Sequence, residues 1–197
     1  MGKLAVSALA LFLGAGSAVG ADFSPDDVDP ARFGWTGGYA GATLGYGWLR
    51  DVDYAFTPPA AASGDDWIIG AHAGYLHQFG NFVVGAEAEA LNLDIQFDGL
   101  PVWASEGYTV KARGGVAWDR FLFTGHLGAT WVTTSSDIAA YDGLADWALT
   151  FGAGVDYALT DNITLGASYS HMRSDAYDNT LIYARIDTFS LRAGYKF

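Results

Sequence analysis

Four charged side chains on two neighbouring segments are the first candidates for a functional site. Glu87 and Glu89 alternate with alanines in one segment, and Lys111 and Arg113 alternate with other residues in the next. Alternate residues of an extended chain point to the same side, so each pair shares a face. Two carboxylates could act as general acid and base, or the charges could line a gated channel. Because cations stand opposite the carboxylates, we expect charge neutralisation instead.

A second candidate is a hydrolytic site around His126, with Asp156 or Ser168 as its partner. Such sites hold a nucleophile, a base and an orienting group within hydrogen-bond reach. The serines and histidines of this chain are scattered singly, and neither Ser135-Ser136 nor His171 falls in a hydrolase signature. The sequence therefore predicts no catalytic residue and no enzyme.

Cofactor and metal sites lack sequence support. The glycines between Gly37 and Gly47 do not form a GxGxxG motif at the start of a helix, and no phosphate-binding lysine follows them. There is no cysteine, so thiolate ligands and disulfides are excluded. Acidic residues in the predicted loops lack the spacing of an EF-hand and are expected to be solvated: Asp51, Asp53, Asp65, Asp66, Asp137, Asp142 and Asp146. We predict no cofactor and no metal.

Eight segments alternate apolar side chains with small, polar or charged ones, which predicts strands with one apolar face. They cover residues 35–48, 67–79, 82–91, 108–118, 121–132, 147–159, 163–171 and 183–197. The charged and histidine side chains assigned to the inner face are His72, Glu87, Glu89, Lys111, Arg113, His126, Asp156, Arg192 and Lys196. Eight strands leave an interior that side chains just fill, so we expect opposite charges to pair there.

The connections between these strands alternate in length. Three are turns, at 80–81, 119–120 and 160–162, and four are long, at 49–66, 92–107, 133–146 and 172–182. Outer-membrane barrels place short turns in the periplasm and long loops outside. If the first strand pairs with the last, no edge stays open. The predicted fold class is all-β: an eight-stranded antiparallel up-and-down transmembrane β-barrel.

Aromatic residues gather at both ends of the predicted strands, where amphipathic rings meet membrane interfaces. The outer girdle is assigned to Trp48, Trp67, Trp131 and Trp147. The periplasmic girdle is assigned to Trp35, Tyr75, Trp118, Phe121, Tyr157, Tyr195 and Phe197. The alternative is a soluble sandwich or lipocalin-like barrel, which would place these rings in water or in a core.

The amino terminus and the composition indicate export. Lys3 precedes a short uncharged apolar run and then small residues, as in a secretory signal peptide. The run is too short for a membrane-spanning helix, which needs about 20 residues. We predict a signal peptide at 1–21, a flexible periplasmic leader at 22–34 and the barrel at 35–197. Without residues 1–21, Lys+Arg falls from 10 to 9 while Asp+Glu stays at 22, so the net charge of −13 excludes nucleic-acid binding.

Several motifs, in this order and spacing, resemble the small opacity-type outer-membrane barrels of alphaproteobacteria, a surface-antigen group often labelled "porin family". They are WTGGYAG at 35–41, GYGW at 45–48, VAWDRF at 116–121, GAGVDYALTDN at 152–162 and the terminal Phe197. The resemblance implies insertion by the outer-membrane assembly machinery through the terminal strand, and contact with outer-membrane lipids and lipopolysaccharide. One departure concerns the seventh strand. Relatives carry inward charges where this chain has Gly166, Ser168 and Ser170, so we expect a slightly less filled lumen there.

The resemblance implies an abundant envelope protein associated with membrane integrity and surface recognition. We therefore predict a structural protein of the cell outer membrane with acidic loops facing outward. A narrow small-solute porin, a lipid-modifying barrel enzyme and an adhesin acting through its loops remain as alternatives. The sequence assigns no oligomeric state.

Overall fold

The computed structural model describes residues 33–53, 60–96, 102–136, 145–175 and 182–197. These residues form eight strands because side chains alternate between a lipid-compatible face and a polar or small one. The strands are β1 (Gly37–Asp53), β2 (Ala60–Phe79), β3 (Phe82–Gln96), β4 (Val102–Trp118), β5 (Phe121–Ser136), β6 (Ala145–Ala158), β7 (Ile163–Asp175) and β8 (Ile182–Lys196). In this part of the chain no helix has the length and apolar character to cross a membrane.

The strands form a closed antiparallel barrel, which confirms the predicted fold class. Each strand pairs with the next one along the chain, and β8 pairs with β1. Closure leaves no unpaired sheet edge among these strands, as a hydrocarbon environment requires.

The stagger of the barrel follows from its strand pairs. A path that starts at Tyr39 and steps from each residue to its direct cross-strand partner goes once around the barrel. It returns to β1 at Leu49, ten residues further along the strand. It passes through Gly74, Glu87, Lys111, Gly128, Thr150, Met172 and Ile186. This stagger around eight strands inclines them by about 40° to the barrel axis. The interior is therefore narrow enough for side chains from opposite walls to meet.

The three predicted turns are present, and two of them use the left-handed backbone region. Gly80 has φ of 60°, and Asp119 has φ of 53°. Glycine adopts this conformation without steric cost, and aspartate tolerates it better than most residues. These turns mark one end of the barrel, called the turn end here. The opposite end is called the loop end.

The strands extend further toward the loop end than the sequence predicted. In the predicted loop at 49–66, Arg50 of β1 pairs with Ser63 of β2. The period-two pattern fades there because outward residues beyond the membrane need not be apolar. In β4 a register shift between Ala104 and Glu106 also interrupts the alternation. Of the predicted loop acids, Asp51, Asp53, Asp65, Asp66 and Asp146 lie in strands, whereas Asp137 and Asp142 lie outside the described residues.

The lumen is filled by side chains in successive layers. The turn-end cluster consists of Phe33, Trp35, Leu76, Val83, Ala117, Leu122 and Ala158. The loop-end cluster consists of Leu49, Ile68, Leu91, Leu93, Ile95, Ala104, Val132, Ala148, Met172 and Ile186. Polar and charged side chains occupy the interior between these two clusters.

Trp35 was predicted to belong to a girdle in the membrane interface, and that prediction is wrong. Its side chain is only 3% exposed and packs in the turn-end cluster, edge to face with Phe33 at 4.7 Å between ring centroids. Trp35 shares the parity of the inward residues Tyr39 and Gly41, so the alternation within the predicted strand at 35–48 points it inward. Phe33, within the predicted leader, packs beside it inside the mouth of the barrel.

Candidate functional site

The charged layer occupies the middle of the lumen and consists of Glu87, Glu89, Lys111, Arg113, Asp156 and Arg192. The register of β3 and β4 places Glu87 directly opposite Lys111, while β6 contributes Asp156 and β8 contributes Arg192. These residues were all assigned to the inner face from the sequence, and the structure confirms that they meet.

Glu87 is the centre of the charged layer, and its side chain is fully buried. Its Oε1 lies 3.0 Å from Lys111 Nζ. Its Oε2 accepts hydrogen bonds from Arg113 Nη1 at 2.8 Å, from Arg192 Nη2 at 2.5 Å and from the Tyr39 hydroxyl at 2.6 Å. One carboxylate therefore joins three cations from two strands.

Two further carboxylates complete the neutralisation. Glu89 Oε2 accepts a hydrogen bond from Lys111 Nζ at 2.7 Å, and Asp156 Oδ2 accepts one from Arg113 Nη2 at 2.6 Å. The layer thus balances three carboxylates with three cations. Buried charges are tolerated when they are paired and hydrogen-bonded, whereas an uncompensated one is costly. This arrangement favours charge neutralisation over acid–base chemistry, as the sequence predicted.

Tyr39 was not assigned to this layer from the sequence, although the signal was present. It shares the parity of Gly41 and Thr43 on β1, which the alternation assigned inward. Its hydroxyl donates to Glu87 and accepts from Arg113 Nη1 at 3.1 Å. The position therefore follows from the same period-two argument that placed the other residues.

The two histidines assigned to the inner face are hydrogen-bonded inside the barrel. His126 Nε2 lies 3.0 Å from Ser170 Oγ, and His72 Nδ1 lies 3.0 Å from Thr43 Oγ1. Both histidines are buried. No hydrogen bond joins His126 to Asp156 or Ser168 among the described contacts, so the proposed hydrolytic grouping is not assembled.

A threonine layer lies between the charged layer and the loop-end cluster. Thr109 Oγ1 lies 2.8 Å from Thr130 Oγ1, and Thr130 is in turn hydrogen-bonded to Thr150. All three side chains are buried and come from neighbouring strands. Their hydroxyls satisfy one another, so this layer needs no solvent.

The seventh strand does not leave the lumen open, contrary to the expectation for Gly166, Ser168 and Ser170. A Cβ atom on Gly166 would lie 2.2 Å from Oδ1 of Asp156, so the larger side chain of the neighbouring strand occupies that space. Ser168 and Ser170 are both buried. Beside Ser170, the ring of His126 fills the space at Gly152, where a Cβ atom would lie 2.7 Å from Nε2.

A small cavity lies near the turn end, bordered by Trp35, Tyr39, His72, Arg113 and Arg192 among others. It offers about 20 Å³ to water-sized molecules. One water needs roughly 10–15 Å³ on this measure, so the space holds one or two. A solute would meet the apolar clusters at either end of the lumen.

Charged residues outside this layer form local contacts. Lys196, predicted to point inward, lies at the turn end with Nζ 5.1 Å from the ring centre of Phe33. At the loop end, Tyr46 is hydrogen-bonded to Asp65, and Ser174 Oγ donates to Asp146 at 3.0 Å. Within the described ranges no three acidic or histidine residues gather as metal ligands.

The outer wall of the barrel is apolar, with aromatic residues at both ends. The outward rings of Trp67, Trp147 and Trp118 are well exposed, and Trp131 packs against Trp147 at 5.3 Å. From Phe121 to Trp131, ten residues along β5, the strand rises about 25 Å at an inclination of about 40°. This matches the apolar band of about 25 Å that surrounds outer-membrane barrels.

A family model for the outer membrane protein beta-barrel domain matches residues 7–197. The chain belongs to this family. It is similar to the 25 kDa outer-membrane immunogenic protein of Brucella abortus, with 32% identity over 189 residues, 88% of this chain and 84% of the relative. It is also similar to the 31 kDa outer-membrane immunogenic protein of Brucella melitensis, with 28% identity over 218 residues and 88% of each chain.

Solved structures of other outer-membrane barrels share the fold. Neisserial surface protein A superposes with a TM-score of 0.53 at 17% identity, over 82% of this chain and 98% of that one. The attachment invasion locus protein Ail of Yersinia pestis gives 0.51 at 19% identity, over 82% and 99%. These two structures show the fold, while the family model and the Brucella relatives identify the chain as an outer-membrane β-barrel protein of the small alphaproteobacterial barrel group.

Proposed function

We propose that this protein is a structural component of the outer membrane that contributes to the integrity of the envelope. The observation that supports this role most directly is the filled lumen, with a neutral charged layer between two apolar clusters. Such an interior makes the barrel rigid and leaves its outer wall and loops as the functional surfaces.

The competing function is a narrow channel for small solutes. The charged layer would supply its selectivity, but the clusters at both ends would have to move. Planar bilayer recordings test this function directly. We expect no stable unitary steps from the wild-type protein. Steps that disappear when Glu87 and Arg113 are exchanged would replace the structural proposal with a channel.

We also propose that the protein is not an enzyme. His126 and Ser170 are buried in the lumen, where a lipid substrate has no access. Lipid A profiles from cells with and without the gene provide the test, and we expect identical acyl patterns. An altered pattern that is rescued by the wild type but not by His126→Gln would contradict this proposal.

The envelope role itself is tested in a deletion strain. We expect the deletion to increase detergent sensitivity and the uptake of a hydrophobic dye, and to leave the uptake of small hydrophilic solutes unchanged. Complementation with the wild-type gene should restore both properties. A strain with normal detergent resistance and slower hydrophilic uptake would favour the channel.

Two features support assembly and surface exposure. The terminal strand presents Phe189, Leu191, Tyr195 and Phe197 on its outward face, which suits recognition by the outer-membrane assembly machinery. The relatives carry the name immunogenic protein, which suits loops that are accessible outside the cell. A role in surface recognition through those loops is compatible with the structural function.

A further inference from the structure

Three buried N–H groups inside the barrel have no hydrogen-bond acceptor among the residues that the structure describes. They are Nε1 of Trp35, Nε of Arg113 and Nε of Arg192. The three residues are only 3%, 6% and 6% exposed, so the water outside the barrel does not hydrate these atoms. Native proteins leave few buried donors unpaired, because each such donor has lost its hydration without compensation.

All three residues border the small cavity near the turn end, which we call the donor cavity. Arg113 and Arg192 approach it from the charged layer, and Trp35 and Leu76 approach it from the turn-end cluster. The cavity offers about 20 Å³ to water-sized molecules. A halide ion is only slightly larger than a water molecule, so one such ion fits this space.

The charges around the donor cavity leave one cation in excess. Within the described residues, four cations and three carboxylates line the lumen: Lys111, Arg113, Arg192 and Lys196 against Glu87, Glu89 and Asp156. Lys196 is the addition to the balanced charged layer, and it borders the cavity. Two acids near Lys196 are Asp161 and the terminal carboxylate of Phe197, and both belong to exposed residues at the turn end. One monovalent anion would therefore balance the charge of the lumen.

The carboxylates close to the donor cavity are engaged by other groups. Asp156 borders the cavity, but its Oδ2 accepts a hydrogen bond from Arg113 Nη2 at 2.6 Å. Its Oδ1 is directed at Gly166, where a Cβ atom would lie 2.2 Å away. Glu87 Oε2 accepts hydrogen bonds from Arg113 and Arg192. The unpaired buried groups described on this border are thus all N–H donors.

We propose that the donor cavity binds a small monovalent anion of halide size, with chloride as the ion that the surrounding solution supplies. The ion accepts hydrogen bonds from the N–H groups of Trp35, Arg113 and Arg192. Hydrogen bonds from guanidinium groups to an anion are stronger than those between neutral groups. Because Lys196 is half-buried at the turn end, the ion has a short route from the water there. The proposal does not depend on the envelope-integrity role.

Water is the rival occupant of the donor cavity. Thr43 Oγ1 donates to Glu89 Oε1 at 3.2 Å, so His72 donates to Thr43 through Nδ1 and keeps Nε2 as an acceptor. His72 borders the cavity, and a water molecule could donate to that nitrogen whereas an anion could not. The three unpaired donors and the excess cation favour the anion.

The first experiment follows the stability of the purified barrel in lipid vesicles while sodium chloride replaces sodium gluconate at constant ionic strength. Gluconate is too large for the cavity. A ligand that binds only the folded barrel raises its stability with the logarithm of the ligand concentration. We expect the urea unfolding midpoint to rise by about 0.7 M for each tenfold increase in chloride above the dissociation constant.

Two variants each remove one donor and keep the other role of the side chain. Trp35→Phe keeps a ring in the turn-end cluster, and Arg192→Lys keeps a positive charge beside Glu87. Each should weaken chloride binding about tenfold, because a hydrogen bond to a charged group is lost. Trp118→Phe is the matched control, since it makes the same change on the exposed outer wall and should keep the full chloride dependence. Equal chloride dependence in all three variants would overturn the proposal.

Crystals of the wild-type barrel grown in sodium bromide give a second readout that needs no variant. We expect an anomalous bromide peak within hydrogen-bond distance of Trp35 Nε1, Arg113 Nε and Arg192 Nε. Water density without an anomalous signal at this place would identify water as the occupant and overturn the proposal. A wild-type unfolding midpoint that does not change between gluconate and chloride would overturn it as well.

Discussion

Replacing Glu87 with glutamine should destabilise the barrel severely although the side chain keeps its size. The change removes one of three carboxylates in the charged layer, so three cations face Glu89 and Asp156 alone. Lys111 retains Glu89 at 2.7 Å, and Arg113 retains Asp156 at 2.6 Å. Arg192 loses Glu87, the carboxylate that lies 2.5 Å from its Nη2.

The expected cost follows from this stranded guanidinium. Removing one partner of a buried ion pair typically costs about 3–5 kcal/mol, because the remaining charge is left without compensation. With a urea dependence of about 2 kcal/mol per molar, the unfolding midpoint should fall by about 2 M. The assay is urea unfolding of the barrel in lipid vesicles, followed by tryptophan fluorescence.

Two further variants separate charge balance from the loss of a hydrogen bond. Glu87→Gln combined with Arg192→Gln restores two carboxylates to two cations, so the double variant should recover at least about 2 kcal/mol relative to Glu87→Gln alone. Glu89→Gln is the matched control. It should cost less, because Lys111 keeps Glu87 at 3.0 Å. A Glu87→Gln barrel within about 0.5 kcal/mol of the wild type, or a double variant weaker than both singles, would refute the reasoning.

Three other substitutions test the packing and the assembly of the barrel. Trp35→Ala should cost about 3–5 kcal/mol in urea unfolding because it removes a buried ring from the turn-end cluster, whereas Trp118→Ala, with its ring 73% exposed to lipid, should cost clearly less. Gly115→Ala should cost about 1–3 kcal/mol because its Cβ would lie 2.0 Å from a backbone oxygen, and equal stability of Gly115→Ala and Gly114→Ala would contradict this, since Gly114 has open space. Phe197→Ala should slow assembly in cells, measured as the folded fraction in isolated membranes, and an unchanged rate would argue against a role for the terminal ring in recognition.

The alternation of side chains made much of the fold predictable from sequence. Period two assigns each residue of a strand to one face, so the inward placement of Glu87 and Lys111 needed no three-dimensional information. It also placed Tyr39 inward, although the sequence argument did not use that position. The turns were equally readable, because glycine and aspartate supply the backbone conformations that tight turns need.

Other features depended on the closed structure. A register shift near Ala104 concealed part of β4, and polar residues at the loop end concealed the pairing of Arg50 with Ser63. These two errors share a cause, since alternation describes a residue only where the strand is regular and its outer face meets lipid. The error at Trp35 is different, because its parity with Tyr39 and Gly41 indicated an inward side chain and the girdle assignment overrode that signal.

Local alternation and composition determine the strand number, the face of each residue in the regular parts of the strands and the membrane environment, so these follow from the sequence alone. Which side chains share a height in the lumen depends on the closed barrel. Arg192 meets Glu87 across 105 positions of sequence. This contact arises from the ten-residue stagger, which is a property of the whole barrel rather than of any one strand.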